Sequence, residues 1–393
     1  MSQEAASAPT PAASGGRHVG DGERLHFLDA LRGLAAVYVV CYHMLLIPDP
    51  HLAAPRWAER FALAGGTGVT LFFIVSAFSL CYTMPLRQHN ANPLRSFYLH
   101  RLFRIAPLFY VLIAVTLVRD LWLFASSHSL SEIALSATFL FNLVPGRQEG
   151  FVWASWTIGV EMVFYAMFPF IHARTRTLSD AVSLFVICLL AWLAIQLMLD
   201  YVLLPEVLKD SVRQRSVFRH LPIFALGMLL HHAFAHGLGA SAVAVTQRST
   251  GRALTWMGIF VFTALLQGWL PAVFGDSYYW QGIAYALLFL GLSLAPWRML
   301  VNRTTRYLGK ISYSIYLNHP TIVLLLAPVY HALYRNAPSL SVAFLASFAV
   351  TLSVVLPISA LTYRWIEVPG IALGKRVAAG IKRRSGFAPD ATA

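Results

Sequence analysis

The sequence predicts an all-α fold: a polytopic membrane helix bundle with about ten transmembrane helices. Two observations carry this. Of 393 residues, 58% are hydrophobic and only 12% charged, with a mean hydropathy of +0.62. A soluble domain carries about 25% charged residues, so these charges are too few to cover so apolar a core, and most of the surface must face lipid. The apolar residues also fall into runs of membrane-crossing length, about 20 residues each.

Taken in order, residues 1–22 are rich in Ala, Ser, Pro and Gly and contain no long apolar stretch. They read as a disordered tail rather than a cleaved signal peptide, leaving the first span to direct insertion. Residues 23–370 form the membrane domain. Its spans are expected near 27–47, 67–86, 105–125, 155–172, 181–201, 218–236, 253–272, 279–297, 312–334 and 340–364. The apolar segment 131–145 is too short to cross and reads as an interfacial or re-entrant piece. Gly65, Gly66 and Gly68 let the chain turn into the second span. Residues 371–393 form a short basic tail suited to anionic headgroups.

An even number of spans puts both termini on one side. That side collects Arg87, Arg95, Arg101, Arg104, Arg174, Arg176, Arg298, Arg303, Arg306, Lys310 and the tail residues Lys375, Arg376, Lys382, Arg383 and Arg384. The bias predicts cytoplasmic termini. Lys209, Arg213, Arg215 and Arg219 run against it. The net charge of +13 thus reads as loop topology rather than nucleic-acid binding, because the basic residues are scattered between apolar runs. Cys41, Cys81 and Cys188 all lie in apolar runs without CxxC spacing, which supports neither a disulfide framework nor structural zinc.

Ionisable groups inside spans are costly and mark candidate sites. The first span, FLDALRGLAAVYVVCYHMLLI, holds Asp29, Arg32 and His43. Arg32 and His43 are eleven positions apart, which returns them to one helix face about 16 Å apart along the axis. Snorkelling would explain either residue alone, but not their alignment. Arg101 and Arg104, in HRLFR, share a face at spacing three. Such a pair suits phosphate, and it also suits ordinary loop topology. Glu161, in SWTIGVEMVFYAMFP, is a lone carboxylate that must find a partner or a proton. It is expected level with His43, either as a structural bond or to orient that histidine. Asn318 and His319 precede Pro320, which loosens the ninth span, so they read as a polar kink or as pocket residues. Arg364 and Glu367, at spacing three, read as an ion pair.

Other motifs are absent. There is no G-x-S-x-G, HExxH or P-loop. His231, His232 and His236 have helical spacing but no neighbouring acid or cysteine, so no metal is expected.

At these positions the chain resembles the acyltransferase family 3 membrane proteins, a family that includes O-acetylases of bacterial polysaccharides. FLDALRGLAAVYVVCYH is similar to the family's LDGLRGxAAxxVVxxH, and GGTGVTLFFIVSAFSL to its GVDLFFVLSGF. HRLFRIAPLFY carries the R-x-x-R stretch. SWTIGVEMVFYAMFP, LGKISYSIYLNHP and YRWIEVPG follow in family order. The resemblance runs from Leu25 to Pro369. The chain departs from it at Thr70, where many members have Asp, and at Ala77 in place of Gly.

The resemblance implies roles. His43 corresponds to the family's essential histidine and Arg32 to the arginine of its R-x10-H pattern. Arg101 and Arg104 correspond to the pair that meets the acyl-CoA donor, and Glu161 to the acid of the fourth-span motif. With Thr70 replacing the Asp, Glu161 or Asp29 is left to support His43. The implied reaction moves an acyl group, acetyl by family habit, from cytoplasmic acyl-CoA without a metal. The implied acceptor is a hydroxyl of a cell-surface polysaccharide, its lipid-linked precursor or another glycosylated molecule. The implied site is the bacterial inner membrane. A transporter or flippase of a lipid-linked saccharide is the rival class; it would bring inverted repeats, and the sequence shows none.

Overall fold

The computed structural model describes residues 25–85, 92–236, 244–272 and 277–384. The tail expected at 1–22 and Arg87 lie outside these. The described chain is helical throughout, with no strand among the described residues. In order it forms α1 (His26–Leu46), α2 (Glu59–Leu63), α3 (Gly68–Thr83), α4 (Pro93–Phe124), α5 (Leu130–Ala137), α6 (Trp156–Arg174), α7 (Leu178–Tyr201) and α8 (Glu206–Arg215). It continues with α9 (Val217–His236), α10 (Ala244–Gln267), α11 (Tyr278–Leu294), α12 (Arg303–Lys310), α13 (Ser312–Asn336), α14 (Leu340–Thr362) and α15 (Val368–Arg384). We call the end of the bundle where α1 begins the near face, and the other the far face.

Every expected span meets a helix. Among the described residues, eight helical segments are long and apolar enough to cross a membrane, and the chain is a multi-pass membrane protein. The two remaining spans fall short for physical reasons. Helix α11 has 17 residues. Helix α13 has 25, but Ser312, Ser314, Asn318, His319 and Thr321 dilute its hydropathy. These polar groups are tolerated because α13 packs between α1 and α14 instead of facing lipid.

Helix α1 is the hub. Its membrane-length window is 67% buried, against 11% for α7 and 22% for α10, which face lipid. Small residues let other elements approach α1 closely. Gly309 sits against the Asp29 backbone, Gly33 against Thr305, and Gly65 against Tyr38. The glycines before α3 thus do more than turn the chain: they seat the α3 entry directly on α1.

Three boundaries differ from expectation. Helix α4 starts at Pro93, capped by the Asn92 side chain, which accepts from the Arg95 N–H at 3.1 Å. Arg101 and Arg104 therefore lie well inside the helix rather than at its start. The segment 131–145 resolves into α5 and a 3-10 turn at Leu140–Leu143. A reciprocal Ser129–Glu132 capping box starts α5. At the C-terminus, Pro369 does not end the helix. A π-helical turn at Tyr363–Glu367 leads straight into α15, whose Gly370 and Gly374 pack on Pro107 and Phe103 of α4. Much of the expected 371–393 tail is therefore a docked helix. The extra residue of the π turn re-aims Glu367 inward. It is buried and accepts from Ser314 Oγ, while Arg364 is exposed. The expected Arg364–Glu367 ion pair does not form.

Candidate active site

Helices α1, α3, α4, α6 and α13 enclose a cleft of about 710 Å³, its open mouth included. The sequence-predicted Arg32, Arg101, Arg104 and Glu161 all line it. Arg32 Nη2 donates to Ser79 Oγ of α3 at 2.7 Å, and its Nη1 lies 3.8 Å from Asp29 Oδ1. The Arg101 guanidinium lies 5.5 Å from the Tyr165 ring centroid and 6.0 Å from that of Phe97, cation–π contacts that help to hold it. Arg104 is exposed at the mouth, within Coulombic reach of Glu161 and Glu367. Three guanidinium groups and one carboxylate thus line the cleft, with Asp29 and Glu367 just outside the lining, and the planar guanidinium forks can take an anion's oxygens.

Glu161 sits beside the hydroxyls of Ser76 and Tyr165, which lie 2.9 Å apart. This corrects the expectation that it stands level with His43: it belongs to the arginine cluster. Asp29 is likewise committed to Arg32. The partner of His43 is a different residue. His319 Nε2 lies 3.0 Å from His43 Nδ1, with ring centroids 4.9 Å apart. His319 is fully buried and His43 half-buried.

The hydrogen-bond chain assigns the tautomers. His319 Nδ1 lies 3.2 Å from the Ile315 carbonyl, which can only accept. His319 Nδ1 therefore carries a proton, and its Nε2, in the neutral ring, accepts. The donor to that Nε2 is His43 Nδ1–H, which also lies 3.1 Å from the Val39 carbonyl. This leaves the lone pair of His43 on Nε2, where a base or nucleophile needs it.

The cleft and the histidine pair meet at Tyr316. Its ring lies 5.7 Å from that of His319 and also lines the cleft. Its hydroxyl accepts from Thr157 Oγ1 at 3.0 Å and donates to the Ala154 carbonyl at 3.2 Å. The other sequence candidates hold helices together. Thr70 Oγ1 donates to Gln281 Oε1 at 3.0 Å, and Asn318 Nδ2 to Thr362 Oγ1 at 2.8 Å. Among the described residues, no three His, Cys, Asp or Glu side chains converge as metal ligands.

Sequence reasoning missed Arg119 and Asp120, although a charged pair in TLVRDLWLF was a visible signal. Both are buried. Arg119 Nε donates to Asp120 Oδ1 at 2.7 Å and its Nη1 to Thr321 Oγ1 at 2.9 Å, while its guanidinium stacks 4.6 Å from the Trp153 ring centroid. His128 Nε2 lies 2.9 Å from Asp120 Oδ2. The cluster ties α4 to α13 two residues beyond His319.

A family model described as an acyltransferase domain matches residues 25–363. A protein of Acidianus two-tailed virus, with a provisional name of acetyltransferase, is 24% identical over 299 residues, which cover 74% of this chain and 80% of its own. No solved structure matches.

Proposed function

The chain belongs to the acyltransferase family defined by that domain, and from this premise we propose that it moves an acyl group, acetyl foremost, from acyl-CoA onto a hydroxyl. The acceptor is a cell-surface polysaccharide or its lipid-linked precursor. The near face is the cytoplasmic side of a bacterial inner membrane. One juxtaposition carries the reading: a cleft lined by three arginines ends at Tyr316, whose ring packs 5.7 Å from His319, the buried partner of half-buried His43.

Arg101, Arg104 and Arg32 take the phosphates of the donor at the near mouth, where planar guanidinium forks match phosphate oxygens. Ser76, Tyr165 and Thr157 offer hydroxyls to the amides of the pantetheine arm. Glu161 offsets part of the arginine charge and fixes the Ser76–Tyr165 pair. The thioester then reaches the Tyr316 end of the cleft, beside the histidines.

His43 Nε2 takes the proton of the acceptor hydroxyl as that oxygen bonds to the thioester carbonyl carbon. The tetrahedral intermediate collapses, the C–S bond breaks, and CoA leaves as a thiolate that recovers the proton from His43. His319 is a positioning residue. It holds the His43 Nδ1–H tautomer and accepts a stronger hydrogen bond while His43 is an imidazolium. A neutral acceptor in that place avoids burying a permanent carboxylate beside the base.

The sidedness is tested in proteoliposomes of known orientation. Acetyl-CoA supplied at the face bearing the termini supports turnover, and acetyl-CoA supplied only at the other face does not. A topology reporter fused after Ala393 reads internal. Turnover from the opposite face, or an external reporter, contradicts the reading.

A further inference from the structure

Helices α10 and α11 carry a second cationic site, away from the cleft. Arg248, Arg252, Trp256, Trp297 and Arg298 line a near-face depression of about 1530 Å³, its open mouth included. All three arginines are exposed, and none of them makes an ion pair among the described residues. The reason is in the sequence: neither α10 nor α11 contains an Asp or Glu. The two tryptophan rings lie 5.6 Å apart at 50° and form a wall. The floor is rigid, because Gly251, Gly258 and Gly291 bring the α10 and α11 backbones together.

The spacing on α10 separates this site from ordinary loop charge. Arg248, Arg252, Trp256 and Phe260 recur every fourth residue and so form one stripe along the helix. The stripe runs from cationic at the near face to aromatic about 12 Å deeper. Trp256 is 60% exposed and Phe260 64%, on a helix that faces lipid. We propose that the depression binds an anionic phospholipid of the near leaflet, its phosphate on the arginines and one acyl chain along Trp256 and Phe260. A free phosphate would use the arginines but leave the aromatic half of the stripe without a role. This inference does not depend on the acyl-transfer reading.

The test is native mass spectrometry of the full-length protein in detergent, titrated with phosphatidylglycerol or phosphatidylcholine of identical chains. The wild type retains phosphatidylglycerol at least about tenfold better, as two or three cationic contacts would supply. Arg248→Gln/Arg252→Gln/Arg298→Gln reduces the preference to about twofold or less, with an unchanged thermal transition. Arg303→Gln/Arg306→Gln, on the same face but outside the depression, keeps the preference. Three results overturn the proposal: equal retention of the two lipids by the wild type, loss of preference in the Arg303/Arg306 variant, or full displacement of the lipid by equimolar glycerol 3-phosphate.

Discussion

His319 Nε2 stands 3.0 Å from His43 Nδ1, although the two residues are 276 positions apart in sequence. The Ile315 carbonyl fixes the proton on the far side of His319, and so fixes which nitrogen of His43 is free.

Removing His319 should therefore act on chemistry rather than on donor binding. His319→Ala lowers kcat by about a hundredfold, the scale of a mispositioned general base, with KM for acetyl-CoA unchanged. His319→Gln, whose carbonyl oxygen can accept from His43, recovers part of the loss. Steady-state kinetics at varied donor concentration read both effects. Wild-type kcat in His319→Ala refutes the positioning role.

The arginine pair should act on the opposite parameter. Arg101→Ala/Arg104→Ala raises the donor KM by about tenfold or more, because two charge-assisted contacts to phosphate are lost. The kcat at saturation stays near wild type. The same kinetics with acetyl-pantetheine, which lacks the nucleotide phosphates, show little difference between variant and wild type. An equal penalty on both donors contradicts the phosphate role.

The α1–α12 contact leaves no room for a methyl group. Gly309→Ala places a Cβ on the Asp29 backbone and Gly33→Ala one on Thr305. Each lowers stability by about 1–3 kcal/mol, read as a fall in detergent thermal stability. Gly268→Ala is the comparison, since no atom lies near that position. Its own cost is backbone strain at φ +72°, about 1 kcal/mol. A Gly309 variant as stable as wild type contradicts the close packing.

Arg119 and Asp120 form a buried pair, and breaking it should cost more than removing it. Arg119→Met leaves Asp120 with His128 alone and destabilises by about 1–3 kcal/mol. Arg119→Met/Asp120→Leu recovers most of that in thermal unfolding. If the double variant is no more stable than the single, the pair does not account for the cost.

The helices were legible because lipid leaves the backbone few options: every apolar run of sufficient length had to be a helix. Their ends were less so. The charges of HRLFR hid the first turns of α4, which Asn92 and Pro93 start, and Pro369 read as a stop although it follows directly on the π turn, whose i→i−5 bond from the Val368 N–H to the Tyr363 carbonyl loosens the helix there. The arginine cleft was half legible. Arg32 was found by its position within a span and Arg101 and Arg104 by their spacing of three at the start of one, and the cleft that unites them needed α3 and α6 in place. His319 was visible as a polar residue in the ninth span, but its partner was not, since periodicity on one helix carries no information about which other helix faces it. Glu161 was misplaced because depth counted from a span end ignores where α6 sits relative to α1 and α4. Arg119 and Asp120 were readable as intramembrane charges and were overlooked.

The central claim is that His43 drives acyl transfer from acyl-CoA. The most direct measurement follows the label of radiolabelled acetyl-CoA with purified full-length protein in nanodiscs, comparing wild type with His43→Ala, alongside equilibrium binding of CoA to both. The account predicts that wild type releases or transfers the label, that His43→Ala does not, and that the two bind CoA equally. Label transfer by His43→Ala at the wild-type rate, or a folded wild type that neither binds nor consumes acetyl-CoA, would contradict it.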